Sequence, residues 1–95
     1  MGTIHRLERW YKAQCNHKWE HQWGVRISTI DNPGWSVTID LNETDKANEL
    51  FKAMKIEVSD TDWLHCWKEG TKFEGRGDSN KLEVILDCFL KFVDS

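Results

Sequence analysis

The sequence predicts an α+β fold: an antiparallel β-sheet of four to five strands, arranged as a meander, with one amphipathic helix at the N-terminus and one at the C-terminus. Three observations carry this. Residues 23–41 alternate apolar and polar on both sides of an Asp-Asn-Pro-Gly turn. Residues 4–15 and 81–93 repeat apolar side chains at helical spacing, and residues 53–74 hold further short alternating runs separated by turn residues. A sheet with one apolar face must have that face covered, and two amphipathic helices are available to cover it.

The elements follow in order. Ile4, Leu7, Trp10 and Tyr11 lie on one side of the first helix, with Arg6, Glu8, Arg9 and Lys12 on the other. Thr3 is placed to cap it. Residues 16–22 read as a polar bridge containing Trp19. In the first strand Trp23, Val25, Ile27 and Thr29 share a face; in the second, Trp35, Val37, Ile39 and Leu41 do. Between them Pro33 fixes φ, and Gly34 would tolerate a positive φ. Residues 42–52 are open between loop and short helix. Residues 53–58 read as a third strand, with Asp60, Thr61 and Asp62 as its turn. Residues 63–69 form a fourth, with Trp63, His65 and Trp67 on one face and Leu64 and Cys66 on the other. Lys72 to Glu74 reads as a short fifth strand and residues 75–79, Gly-Arg-Gly-Asp-Ser, as a flexible loop. Asn80 and Glu83 resemble a capping box for the final helix, whose stripe is Leu82, Ile85, Leu86, Phe89, Phe92 and Val93.

The 95 residues fit one domain, residues 1–95, with a modest core. Hydrophobic residues are 39% and charged residues 31%, which excludes a disordered chain. Six tryptophans are available either to fill the core or to stand at a binding surface. The formal net charge of −3 argues against a nucleic-acid partner, which would call for a basic patch. Charge is uneven: residues 1–30 sum to +3 and the remainder to −6, a balance that steers a basic partner. No run reaches the ~20 apolar residues of a membrane span, and no signal peptide opens the chain. Three widely spaced cysteines, Cys15, Cys66 and Cys88, fit reduced thiols in the cytoplasm.

Few residues point to chemistry. Cys15, His17, His21 and Cys66 are possible zinc ligands, but they lack the closely spaced pairs of structural zinc sites. A cysteine nucleophile with His21 or His65 as base and Glu20 as orienter is a second arrangement. Cys15 then sits at the unfavourable C-terminal end of a helix, and Cys66 reads as a core residue. Gly75 to Asn80 precedes a helix without the spacing of a phosphate loop. The expected cofactor is none. The better candidate is the Trp63, His65 and Trp67 face: if helices cover one side of the sheet, these rings can remain on the other, ringed by acids.

The run WYKAQCNHKWEHQWGVRISTIDNPGWSVTIDL, residues 10–41, resembles the N-terminal half of the immunity protein 53 family. The shared features are a Trp-Tyr pair on the first helix, Gln-Cys, Trp-Glu-His, a Gly-Val strand and Asp-Asn-Pro-Gly-Trp. Asp62-Trp63, His65-Cys66, Lys72-Phe73-Glu74-Gly75 and the closing helix extend the similarity over nearly the whole chain. It departs at residues 42–55 and at Trp67. The resemblance implies a cytoplasmic, non-enzymatic antidote in a bacterial polymorphic-toxin system, which binds a cognate toxin and blocks it by occlusion. A monomer or weak homodimer is expected. The candidate partner-binding residues are Glu20, His21, Asp40, Asp60, Asp62, Trp63 and His65. A small Cys/His enzyme or zinc protein, and a generic protein-interaction domain, are the alternative readings.

Overall fold

The computed structural model describes residues 2–95. Its elements are α1 (Thr3–Gln14), α2 (Trp19–Gln22), β1 (Val25–Ile30), β2 (Gly34–Asp40), β3 (Met54–Ser59), β4 (Asp62–Glu69), β5 (Lys72–Gly77) and α3 (Leu82–Val93). The α+β class holds: five antiparallel strands form one sheet, with α1 and α3 at the two ends of the chain. The meander does not. The order is β1-β2-β5-β4-β3, so the hairpin β1–β2 and the meander β3–β4–β5 join where β5 returns beside β2. The connection between them, residues 42–53, is a run of turns carrying no helix or strand. Phe51 anchors it, edge-on to Phe73 at 5.6 Å and to Phe92 at 5.1 Å. Lys68 reaches it from β4, donating to the carbonyls of Ala47 at 2.7 Å and Glu49 at 2.6 Å.

Register assigns the faces. Val25, Ile39, Phe73 and Lys68 lie in one row; Ile27, Val37, Gly75, Cys66 and Met54 in the next. This face is closed by α3, whose Ile85, Leu86, Phe89 and Leu90 are buried with Val37, Ile39, Leu41, Leu64, Cys66 and Phe73. Leu7 joins them from α1. Trp10 extends the packing, edge-on to Phe89 at 4.8 Å and to Trp19 at 5.9 Å. Two bonds tie the terminal helices: Thr3 Oγ1 donates to Asp87, and Arg6 pairs with Asp94, each at 2.7 Å.

The largest departure from expectation is the segment Gly75–Ser79. Gly75 to Gly77 is not a flexible loop but the end of β5, a strand hydrogen-bonded on both sides. The glycines are there because α3 lies directly on the strand. A Cβ on Gly75 would collide with Ile85 Cγ2, and one on Gly77 would meet Lys81 Cβ at 2.6 Å. Gly34 likewise serves close approach, since its Cβ would strike the Gly77 carbonyl; it does not adopt a positive φ. The caps shift too. Gly2, not Thr3, caps α1; Lys81, not Asn80, precedes α3, and no side chain caps it. Asp78 organises that turn instead, accepting from Asn80 N at 2.8 Å through its side chain and from Lys81 N at 3.1 Å through its carbonyl.

Candidate functional site

The opposite face of the sheet carries no helix. Alternation along β4 places Trp63, His65 and Trp67 there, and the register sets them beside Glu57 of β3 and Glu74 and Arg76 of β5. The rings are half-buried by one another and by neighbouring side chains rather than by a second layer. His65 stacks on Trp67 with ring centres 4.3 Å apart and planes tilted by 32°. The Arg76 guanidinium lies 5.4 Å from the centre of the Trp67 ring, within the range of a cation–π contact. Glu74 holds this arrangement in the middle of the sheet, accepting from Thr38 Oγ1 at 2.7 Å and pairing with Arg76 at 3.3 Å. Trp67 Nε1 donates to Glu69 at 3.2 Å.

At one end of this face a cleft of about 650 Å³ opens between the β1–β2 and β3–β4 turns. It is lined by Asn32, Glu57, Val58, Ser59, Asp60 and Trp63. Both charged residues in its lining are acids. Next to it, Lys81 bridges Asp62 at 2.8 Å and Asp78 at 2.7 Å. The lysine's hydrogen bond, with those from the backbone N–H groups of Asn80 and Trp63, holds the Asp78 carboxyl at about 2, well below its ordinary 3.8. Lys81 is raised in turn by its bonds to Asp62 and Asp78. This fixed triad pins the start of β4, and therefore Trp63, to the N-terminus of α3.

The residues singled out from sequence thus divide between the two ends of the sheet, roughly 20 Å apart for six strand residues at about 3.3 Å each. Asp60, Asp62 and Trp63 gather at the cleft, and His65 lies two residues along the same face. Glu20, His21 and Asp40 are at the far end. There Glu20 closes the turn before α2, accepting from the backbone N–H groups of Asn16 and His17, each at 2.9 Å. Its pKa is lowered first by its own backbone N–H and then by those two. Asn16 reciprocates, its Oδ1 accepting from Lys18 N at 3.0 Å and Trp19 N at 2.9 Å. His21 is exposed on the short α2. Asp40 is only 2% exposed; its carboxylate accepts from Gly24 N at 2.9 Å and faces Arg26 at 3.4 Å, which fastens the entry to β1.

The thiols and imidazoles do not converge. Cys15 donates to the Tyr11 carbonyl at 3.4 Å, and His17 is exposed at a φ of 75° beyond the end of α1. Cys66 is buried in the core, where a shared hydrogen bond with Cys88 and burial push its thiol up. Among the described residues no group of three or more His, Cys, Asp or Glu side chains is arranged to hold a metal. Sequence reasoning missed Arg76 and Glu74 as parts of the aromatic face, because they were assigned to a loop and a strand end. Continuing the alternation Lys72, Glu74, Arg76 through the glycines would have found them.

Fold and site together define a small α+β protein with one face of its sheet closed and the other presenting aromatic and charged side chains. The profile of the Immunity protein 53 family matches residues 4–94, and the chain belongs to that family. No match was found among curated proteins or among solved structures. Among the described residues no helix is long and apolar enough to cross a membrane.

Proposed function

We propose that this immunity-family chain binds a cognate toxin domain and neutralises it by occlusion, without catalysis of its own, in the cytoplasm of the cell it protects. The open face of the sheet is the binding surface, centred on Trp63 and the acid-lined cleft and extending over His65 and Trp67. The observation that carries this reading is the placement of Trp63. It stands on the helix-free face at the mouth of a cleft whose charged groups, Glu57 and Asp60, are both acidic. Aromatic side chains set among charges are the usual anchors of tight interfaces. An acidic rim favours a basic toxin surface, such as one that grips a polyanionic substrate. Glu20 and Asp40 fall outside this surface, since both bond within the fold.

The test is co-expression in bacteria of the toxin domain encoded beside this gene, with growth and co-purification as readouts. The wild-type chain restores growth and co-purifies with the toxin. Trp63→Ala and Asp60→Lys lose rescue while keeping the wild-type melting temperature. Retained rescue and an intact complex in the double variant Trp63→Ala/Trp67→Ala would place binding elsewhere. No rescue by the wild-type chain would remove the toxin reading itself.

A further inference from the structure

The sheet has two edges, and they differ in what they present. β1 carries Val-Arg-Ile-Ser-Thr-Ile, residues 25–30, and its single charge, the exposed Arg26, pairs with Asp40 at 3.4 Å. β3 carries Met-Lys-Ile-Glu-Val-Ser, residues 54–59, and every residue in it is exposed. Its apolar side chains lie at the outer margin of the helix-covered face and remain exposed: Met54 is 39% exposed, Ile56 45% and Val58 70%, and Leu50 before the strand is 96% exposed. An exposed edge strand with apolar side chains is a template for pairing with another strand.

What distinguishes β3 is its symmetry. An antiparallel partner of identical sequence, centred on Ile56, sets Ile56 against Ile56, Met54 against Val58, and Lys55 against Glu57. Lys55 and Glu57 already pair within the strand at 3.3 Å, on the face opposite Ile56. Across a two-fold axis the four charges would alternate in sign around a square, so each lysine gains a second glutamate. Opposite charges on directly facing residues stabilise a strand pair, and like charges weaken it. β1 has no such property, because it carries one cation and no acid. The bulge between Glu57 and Ser59 ends the regular stretch and confines the pairing to residues 54–58.

We propose that two copies of this chain associate edge to edge through β3, antiparallel about a two-fold axis at Ile56, joining their sheets into one. Isologous contact of this kind is the commonest form of homodimer. The contact is small beside the ~1,200 Å² or more of a stable interface, so the dimer is weak and forms with rising concentration. The proposal does not depend on the toxin-binding reading, although Glu57 serves both the strand edge and the cleft, and its test uses the chain alone.

The experiment is sedimentation equilibrium of the purified full chain from about 1 µM to about 1 mM, spanning the range of weak affinities. The average mass is expected to rise toward twice 11.2 kDa and to stop there. Ile56→Lys, which sets two cations face to face on the axis, abolishes the rise. Lys55→Glu weakens association at least about tenfold, the effect of ~1.4 kcal/mol. The swap Lys55→Glu/Glu57→Lys restores it, because the signs alternate again. Circular dichroism checks that each variant is folded. A chain that stays monomeric throughout overturns the proposal. So does a dimer indifferent to Ile56→Lys, or a charge swap that fails to restore what the single change removed. Protection of β3 amides from exchange only when toxin is added would assign this edge to the toxin and overturn the dimer.

Discussion

The two faces of the sheet are built from the same strands and differ in almost everything else. On β4, Leu64 and Cys66 point to the helices and are 2% and 0% exposed; Trp63, His65 and Trp67, interleaved with them, are half-buried on the other side. On β2, Val37 and Ile39 are fully buried while Ser36 and Thr38, which alternate with them, are not. The closed face uses shape, with aliphatic and aromatic side chains interlocking against α3. The open face uses polarity: its rings rest on a guanidinium, an imidazole and carboxylates, which need no second layer because water reaches them. If the open face binds the toxin as proposed, a small chain built this way keeps its stability on one side and its recognition on the other.

That division can be broken, beginning with the largest effect. Phe89→Ala empties a site at the centre of the closed face, touching Trp10 and Phe73, and is expected to cost ~3–5 kcal/mol in urea unfolding. A loss that large is a major part of the ~5–15 kcal/mol typical of a domain. Gly75→Ala drives a methyl into Ile85 and is expected to cost ~1–3 kcal/mol, although residue 75 looks like a loop position in sequence. A cost below about 0.5 kcal/mol would show that α3 can lift from β5 without penalty.

The boundary between the faces is sharpened by pH. Asp78 titrates at about 2 in the fold against an ordinary 3.8. A carboxylate with a depressed folded pKa adds stability that is complete above the unfolded value and disappears as pH falls through the folded one. Stability is therefore expected to decline between about pH 4 and pH 2, with Glu20 contributing in the same direction. Asp78→Asn should flatten part of that decline when melting temperature is followed against pH. A variant as steep as the wild type would remove the Lys81 triad as its source.

The smallest stability effects belong to the open face. Trp67→Ala gives up the His65 stack and the Arg76 contact, worth ~0.5–1.5 kcal/mol beyond the apolar area of the half-buried ring, and is expected to cost less than Phe89→Ala. The exposed Asp60→Ala should stay within ±0.5 kcal/mol in the same unfolding assay. If Trp67→Ala instead destabilised as much as Phe89→Ala, the two faces would share one energetic core, and their division would fail.

How much of this could be read from the chain depends on how local the information is. The β1–β2 hairpin was legible because alternation and the Asp-Asn-Pro-Gly turn are both written within nineteen residues. The two terminal helices were legible from their stripes. The strand order was not, because the pairing of Trp35 with Gly77 and Asp40 with Lys72 joins segments far apart in sequence. The end of β5 was misread for the same reason. Gly75 and Gly77 speak locally for a loop, and only the presence of Ile85 and Lys81 above them explains why glycine is needed in a strand. At the site, the Trp63, His65 and Trp67 face was visible from spacing alone. Asp40 and Glu20 read in sequence as candidate partner-binding acids because sequence does not record that Gly24, Asn16 and His17 offer them backbone N–H groups.

The return of β5 to β2 also bears on how the chain reaches this state. The hairpin β1–β2 and the meander β3–β4–β5 each form from neighbours in sequence, which is fast. Joining them requires residues 35–40 to find residues 72–77 across the whole intervening chain, and such closures slow folding. The seam between β2 and β5 is therefore expected to close after each of the two units has formed. Changes at Val37 or Gly75 would then appear chiefly as faster unfolding, and changes in the β1–β2 turn as slower folding.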